Sequence, residues 1–250
     1  RLKDPVILDQ QVRRMLKDPK AHALIDNFGG QWLYLRDLAS VTPVTKEFDD
    51  NLRQAFRRET ELLFESIVRE DRSIVDLLTA DYTFVNERLA KHYGIPNVYG
   101  PQFRRVTLGP KLDMRRGLLG KGALLTVTSA AARTSPVTRG KWFLQTFLGV
   151  APPQPPPNVD TTLKIKASDT GGNVKNPTMR QIMEAHHSNP TCNTCHQIFE
   201  PIGLALENFD AVGLWRTQDE GLPIDATGTL VDGTKLDGIA SLRSALVGRS

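Results

Sequence analysis

Cys192, Cys195 and His196 form a Cys-x-x-Cys-His run that uses both cysteines of the 250-residue chain. On a helical turn, residues at i and i+3 leave the same face. The two sulfurs are then placed to form thioethers with the two vinyl groups of one porphyrin. His196, one residue on, offers an imidazole nitrogen to the iron as proximal ligand. The spacing points to one covalently attached haem c. Two other chemistries use a Cys-x-x-Cys pair. A zinc site would be completed by His196 and either His186 or His187. Zinc more typically brings a second Cys-x-x-Cys or a spaced histidine pair, and the sequence has neither. A redox dithiol wants a strand–helix setting that the flanking residues do not suggest, and a small structural disulfide is the remaining reading.

A proximal histidine needs an acceptor for its other ring N–H, commonly a backbone carbonyl. A turn at Glu200-Pro201 is the candidate. Phe199, Ile202, Leu204, Leu206 and Phe209 offer apolar surface that could wall a porphyrin or simply build a core. Trp215 and Arg216 carry donors suited to haem propionates, although Arg216 could instead pair with Glu207 or Asp210. All four methionines, at 15, 114, 179 and 183, precede the motif, so no downstream methionine can complete the iron. If Asn189-Pro190 reverses the chain, His186 or His187 comes over the second face. Otherwise Met179, Met183, a residue of the helical section or nothing fills it. Two histidine ligands give a lower potential than His/Met, and an open position permits small-molecule or peroxidase-like chemistry. His22 and His92 read as surface or core-edge residues. Asp225-x-x-Gly228 and Asp232-Gly233 lack the EF-hand spacing and read as turns.

Composition is that of a soluble globular protein, 40% hydrophobic and 24% charged, with no apolar run of membrane-spanning length. Residue 1 is Arg rather than Met, which predicts a processed form or a segment of a longer chain. Bacterial haem c is attached outside the cytoplasm, so the haem reading predicts a periplasmic or otherwise extracytoplasmic protein. Net charge is +4 but unevenly spread. From Pro101 to Val150, nine Lys/Arg face the single acid Asp113; from His187 to Ser250, four basic residues face eight acidic ones. The two regions are expected to dock on each other or on partners of opposite charge. Nucleic acid is not indicated, because the arginines lack interleaved aromatics and a binding motif.

The elements that must position the motif read as mainly α. Leu8, Val12, Met15 and Leu16 make an apolar stripe on a basic helix. Residues 21–38 are helical, with Gly29-Gly30 placed to bend them, and Lys46–Arg69 is a long amphipathic helix carrying Phe48, Leu52, Phe56, Leu63 and Ile67 on one side. A helix over 83–93 ends at Gly94, residues 94–114 read as loop, and another helix runs over 114–128. Ser135-Pro136 starts a helix to Leu148. Residues 151–158 are a polyproline strap, residues 159–175 are polar, and a helix runs from about Pro177 to His187. The expected organisation is a helical domain 1–100, a hairpin-like helical segment with its proline connector 101–158, and a haem-binding domain 159–250.

Several of these runs resemble a known family. Arg133–Pro136, Arg139–Leu144 and the run Leu148–Val159 are similar to a segment of large exported cytochrome-c-like proteins of planctomycetes, acidobacteria and related bacteria. The stretch from Cys192 through Glu200-Pro-Ile-Gly203, Leu206-Glu-Asn-Phe-Asp210 and Trp215-Arg216 resembles their haem signature, with Glu200 where Asp is expected. Ile224–Gly228 and Asp232-Gly233 resemble their terminal domain, and the opening helices resemble the domain that precedes it. The resemblance implies a c-type cytochrome section that exchanges one electron with other redox subunits or haem domains of a larger protein or complex. A haem enzyme with an open iron and a structural zinc scaffold are the alternatives.

Overall fold

The computed structural model describes residues 2–152, 177–187 and 190–248, without the side chains of residues 187 and 190–192. Most of the predicted proline strap and the polar stretch after it lie outside the described residues. The described chain is mainly helical with three two-stranded antiparallel sheets. Among the described residues no helix is long and apolar enough to cross a membrane. The chain packs as two units: residues 1–41 with 46–127, and residues 42–45 with 128–250. The first unit thus runs past residue 100, to Val127.

In the first unit α1 (Pro5–Lys17) starts where Asp4 accepts from the Val6 N–H and Pro5 sets the first turn. Its predicted stripe of Leu8, Val12 and Met15 is exposed. The chain then passes a π-helical turn, Leu24–Gly29, into the short α2 (Gly30–Trp32). The central element is α3 (Asp50–Arg69), capped by Asp49, whose buried side carries Leu52, Phe56, Leu63 and Ile67 as predicted. After α4 (Asp76–Thr79), the helix predicted over 83–93 is corrected. Tyr82–Val85 is strand β1, paired with β2 (Arg104–Thr107) inside the predicted loop, and the helix α5 covers only Glu87–Tyr93. Tyr82-Thr-Phe-Val85 is an aromatic and β-branched run, and Asn86 caps the helix by accepting from Leu89 N–H. The predicted helix over 114–128 is also corrected. It is two 3-10 turns followed by α6 (Gly122–Val127). Gly117, at φ 58°, breaks it, and a Cβ there would lie 2.2 Å from the Leu78 carbonyl oxygen.

A fully buried polar cluster joins these elements. Lys121 Nζ donates to Thr83 Oγ1 and to the Arg115 carbonyl, both at 2.9 Å, and lies 3.5 Å from Glu59 Oε1. Tyr93 donates to Glu59 Oε2 at 2.7 Å and accepts from the Gly122 N–H, while the Arg115 guanidinium lies 3.9 Å over the Tyr93 ring. His92 is buried edge-on to Phe56, and His22 faces Asp26 and Glu65.

In the second unit α7 (Pro136–Phe147) begins at the predicted Ser135 cap. It packs on α9 (Pro190–Leu204), which follows α8 (Met179–His187). The α7–α9 approach is set by two glycines: a Cβ on Gly140 would lie 1.9 Å from the Phe199 carbonyl oxygen, and one on Gly203 equally close to that of Pro136. Beyond α9 come the hairpins β3–β4 (Gln218–Asp219, Leu222–Pro223) and β5–β6 (Thr227–Thr229, Lys235–Asp237), then α10 (Gly238–Val247). Asp225 and Asp232 each accept from the backbone N–H two residues on, the turn role read from the sequence.

Candidate functional site

The Cys-x-x-Cys-His run occupies the N-terminal part of α9, so Cys192 and Cys195 are three residues apart on one helix. Cys195 is a half-buried free thiol; the side chains of Cys192 and His187 lie outside the described residues. His196 is 16% exposed, with Nδ1 3.5 Å from Oε2 of the buried Glu200, one turn further along α9. The predicted Glu200-Pro201 turn is corrected: α9 continues through Pro201 to Leu204. The group of Glu200 that faces the ring is therefore its carboxylate.

Phe199 is buried, 5.3 Å ring to ring from His196 and beneath the Lys141 ammonium at 5.2 Å. Pro201 backs onto Gly228 of β5, where a Cβ would meet the proline ring carbon at 2.9 Å. Phe209 is fully buried and meets Trp215 edge to face at 5.1 Å, the two also forming a β-bridge. Arg216 donates to Asp219 at 2.6 Å and to the Glu207 carboxylate at 3.1 Å. Its guanidinium is thus committed to carboxylates of this chain, one of them the expected Glu207.

The imidazole of His186, in the last turn of α8, meets that of His196 at 5.1 Å between centroids, T-shaped. Met179 and Met183 share an apolar cluster with Ile182, packed against Val137. Helix α8 is anchored at its start, where the Met179 N–H donates to Asp219 at 2.7 Å, and Arg180 donates to the Asp225 carbonyl at 3.0 Å. Among the described residues no three His, Cys, Asp or Glu side chains gather in a metal-sized group.

Residues 1–95 match the family model PSD4, a protein of unknown function (DUF1592), and residues 115–219 match PSCyt3, a protein of unknown function (DUF1588). The chain thus carries a PSD4 domain and a PSCyt3 domain, of planctomycete-type cytochrome-associated families of unknown function. No curated protein and no solved structure matches it. The PSCyt3 segment holds α7, α8 and α9, and with them His186, Cys195, His196, Phe199 and Glu200.

Within the PSCyt3 segment one arrangement escaped the sequence reading. Arg139 of α7, 1% exposed, donates to the carbonyls of Leu206, Phe209 and Asp210 at 2.8–2.9 Å and to Ser129 at 3.1 Å. Glu207 faces it at 3.5 Å and accepts from Thr134 at 2.8 Å and from Arg216. Burial pulls the Arg139 guanidinium down to about 10, leaving it charged at neutral pH, and pushes the Glu207 carboxyl up against the pull of Arg139 and Arg216. This clamp fastens the Arg133–Leu144 run to the Leu206–Asp210 run behind the haem motif. Part of the basic middle region thus does dock on the acidic tail.

Cys195 and His196, with Cys192 three residues before Cys195 on the same helix, are the residues that would hold a haem c. Two cysteines three residues apart on one helix suit two thioethers. A histidine whose Nδ1 faces a buried carboxylate has Nε2 as its ligating atom. His186, whose ring meets that of His196 at 5.1 Å between centroids, would be able to supply a second nitrogen ligand.

Proposed function

We propose that the chain is a c-type cytochrome section that carries one haem on Cys192 and Cys195, with His196 as proximal ligand, and passes single electrons to and from other redox modules outside the cytoplasm. The observation that supports this reading is that Cys192, Cys195 and His196 lie on one helix, with His196 3.5 Å from the buried Glu200 and in ring contact with His186. When bound, the haem would supply one-electron chemistry at the iron. Cys192 and Cys195 would hold the porphyrin edge, Phe199 would cover apolar surface beside the ring, and His186 would approach the second axial position. Trp215, 39% exposed and edge to face on Phe209, remains the proposed propionate donor, whereas Arg216 is taken up by Asp219 and Glu207.

Protein matured in a host competent for haem c attachment is expected to give a pyridine haemochrome of one haem per chain, retained in denaturing gels. The Cys192→Ala, Cys195→Ala double variant is expected to lose it. Zinc in place of haem in the wild-type protein would overturn the reading.

His186 decides between carrier and enzyme. If it ligates, the ferrous wild-type protein is unchanged by carbon monoxide, and His186→Ala gains a carbon monoxide-shifted Soret band. Carbon monoxide binding to the wild-type protein at low concentration would favour the open-site enzyme instead.

A further inference from the structure

The proximal ligand in this chain has an unusual neighbour. Glu200 lies one helical turn beyond His196 on α9, its carboxylate 3% exposed and its Oε2 3.5 Å from His196 Nδ1. A charge-assisted N–H···O bond closes at about 2.7–2.9 Å, so well under 1 Å of side-chain adjustment forms it. The surroundings keep the carboxylate there. Glu200 is succeeded by Pro201, which backs onto β5, and preceded by Phe199, whose carbonyl is pressed against Gly140 of α7. Neither neighbour can move without breaking a backbone contact.

We infer that Glu200 is a positioning and tuning residue, holding the proximal imidazole in the Nδ1–H tautomer and giving its Nε2 partial imidazolate character. The inference rests on the haem reading proposed above. A backbone carbonyl in this place is a neutral acceptor; a buried carboxylate brings a full charge through the same bond. The proton stays on Nδ1, shared toward Glu200, and the electron density pushed to Nε2 stabilises the ferric over the ferrous state. One electron enters the iron on reduction, and the carboxylate makes that entry less favourable. This directs the section toward the low-potential end of haem proteins. It would do so whether the second axial position is taken by His186 or left open.

Three proteins, each matured and checked for one haem per chain, test the inference by spectroelectrochemical titration: wild type, Glu200→Gln and Glu200→Asp. Glu200→Gln retains an acceptor of the same shape and removes the charge. Its reduction equilibrium is expected to rise at least tenfold, a midpoint shift of about 59 mV upward for one electron. Glu200→Asp retains the charge one methylene further back and is expected to fall between wild type and Glu200→Gln. The iron–histidine stretching band of the ferrous protein, read in a His186→Ala background by resonance Raman after photolysis of a carbon monoxide adduct, is expected at lower frequency when Glu200→Gln is added. An unchanged potential and an unchanged band in a Glu200→Gln protein with full haem content would overturn the inference and leave the haem reading intact. Absence of haem from the wild-type protein would overturn both. Should Glu200→Gln fail to accumulate, Glu200→Asp alone decides: an upward shift supports the inference, and a downward or absent one overturns it.

Discussion

Replacing Arg139 with methionine is expected to destabilise the second unit by about 4 kcal/mol, within the range for breaking a buried ion pair from one side. The side chain is 1% exposed, and methionine fills much of its length, so the cost is not a cavity. It comes from what the guanidinium leaves behind. The carbonyls of Leu206, Phe209 and Asp210 each lose a donor; those of Leu206 and Asp210 keep the N–H of Phe209 and of Gly213, while that of Phe209 is left as a buried acceptor at a cost of about 1–3 kcal/mol. Glu207 keeps Thr134 and Arg216 but loses the cation facing its other oxygen. Urea unfolding followed by hydrogen exchange of the α9 and 204–210 amides reads the effect where it occurs. Adding Glu207→Gln to the methionine variant is expected to recover 1 to 2 kcal/mol of the roughly 4 kcal/mol lost, because the uncompensated charge goes. A methionine variant within about 1 kcal/mol of wild type would show that glycine-mediated packing alone holds α7 to α9. The functional consequence is direct, since the clamp fixes the C-terminal end of the helix that carries His196.

That clamp was legible in part. Pro136, Arg139, Gly140, Phe143 and Leu144 fall at i, i+3, i+4, i+7 and i+8, so a helix over this segment puts Arg139 on its apolar face. A cation on such a face demands buried acceptors, and the signal was there to be read. Its partners were not, because they are backbone carbonyls of a turn some seventy residues away, which no side-chain pattern announces. The same holds for Glu59: it lies three residues after Phe56 and four before Leu63, on the buried side of the amphipathic helix. The Cys-x-x-Cys-His run, the cap at Ser135 and the stop at Gly94 depend on neighbours within a few residues, and local chemistry suffices for them. β1 was hidden because Tyr82-Thr-Phe-Val85 abuts a real helix and becomes a strand only when Arg104–Thr107 pairs with it. The placement of His186 against His196 depends on how α8 meets α9, and only the folded chain shows it.

The buried Lys121–Glu59 pair gives the first unit a pH dependence opposite to that of an ordinary ion pair. Desolvation pulls the Lys121 pKa down from 10.5 to about 8, more than the attraction of Glu59 raises it. Between these values the unfolded chain binds a proton that the folded chain has released. Stability therefore rises with pH across the window, by about 1.4 kcal/mol per unit where the difference is one full proton. Below pH 8 both states hold the proton and the contribution is flat. Above pH 10 Tyr93 opposes the gain, because burial raises its phenol well above 10 and the unfolded chain ionises first. The expected result is a gain of about 2 kcal/mol between pH 8 and pH 10, measured by denaturant unfolding with exchange resolved to α3 and α6. Lys121→Met is expected to abolish that slope and, at pH 7, to cost about 3 kcal/mol by leaving the Glu59 carboxylate with only Tyr93 and Thr83. The Glu59→Gln, Lys121→Met double variant should restore much of the loss while keeping the flat profile. A Lys121→Met protein with the wild-type slope would place the titrating group elsewhere. If the slope disappears, the first unit holds its core together around a charge that it stabilises only partly, and its folding is strongest on the alkaline side of neutrality.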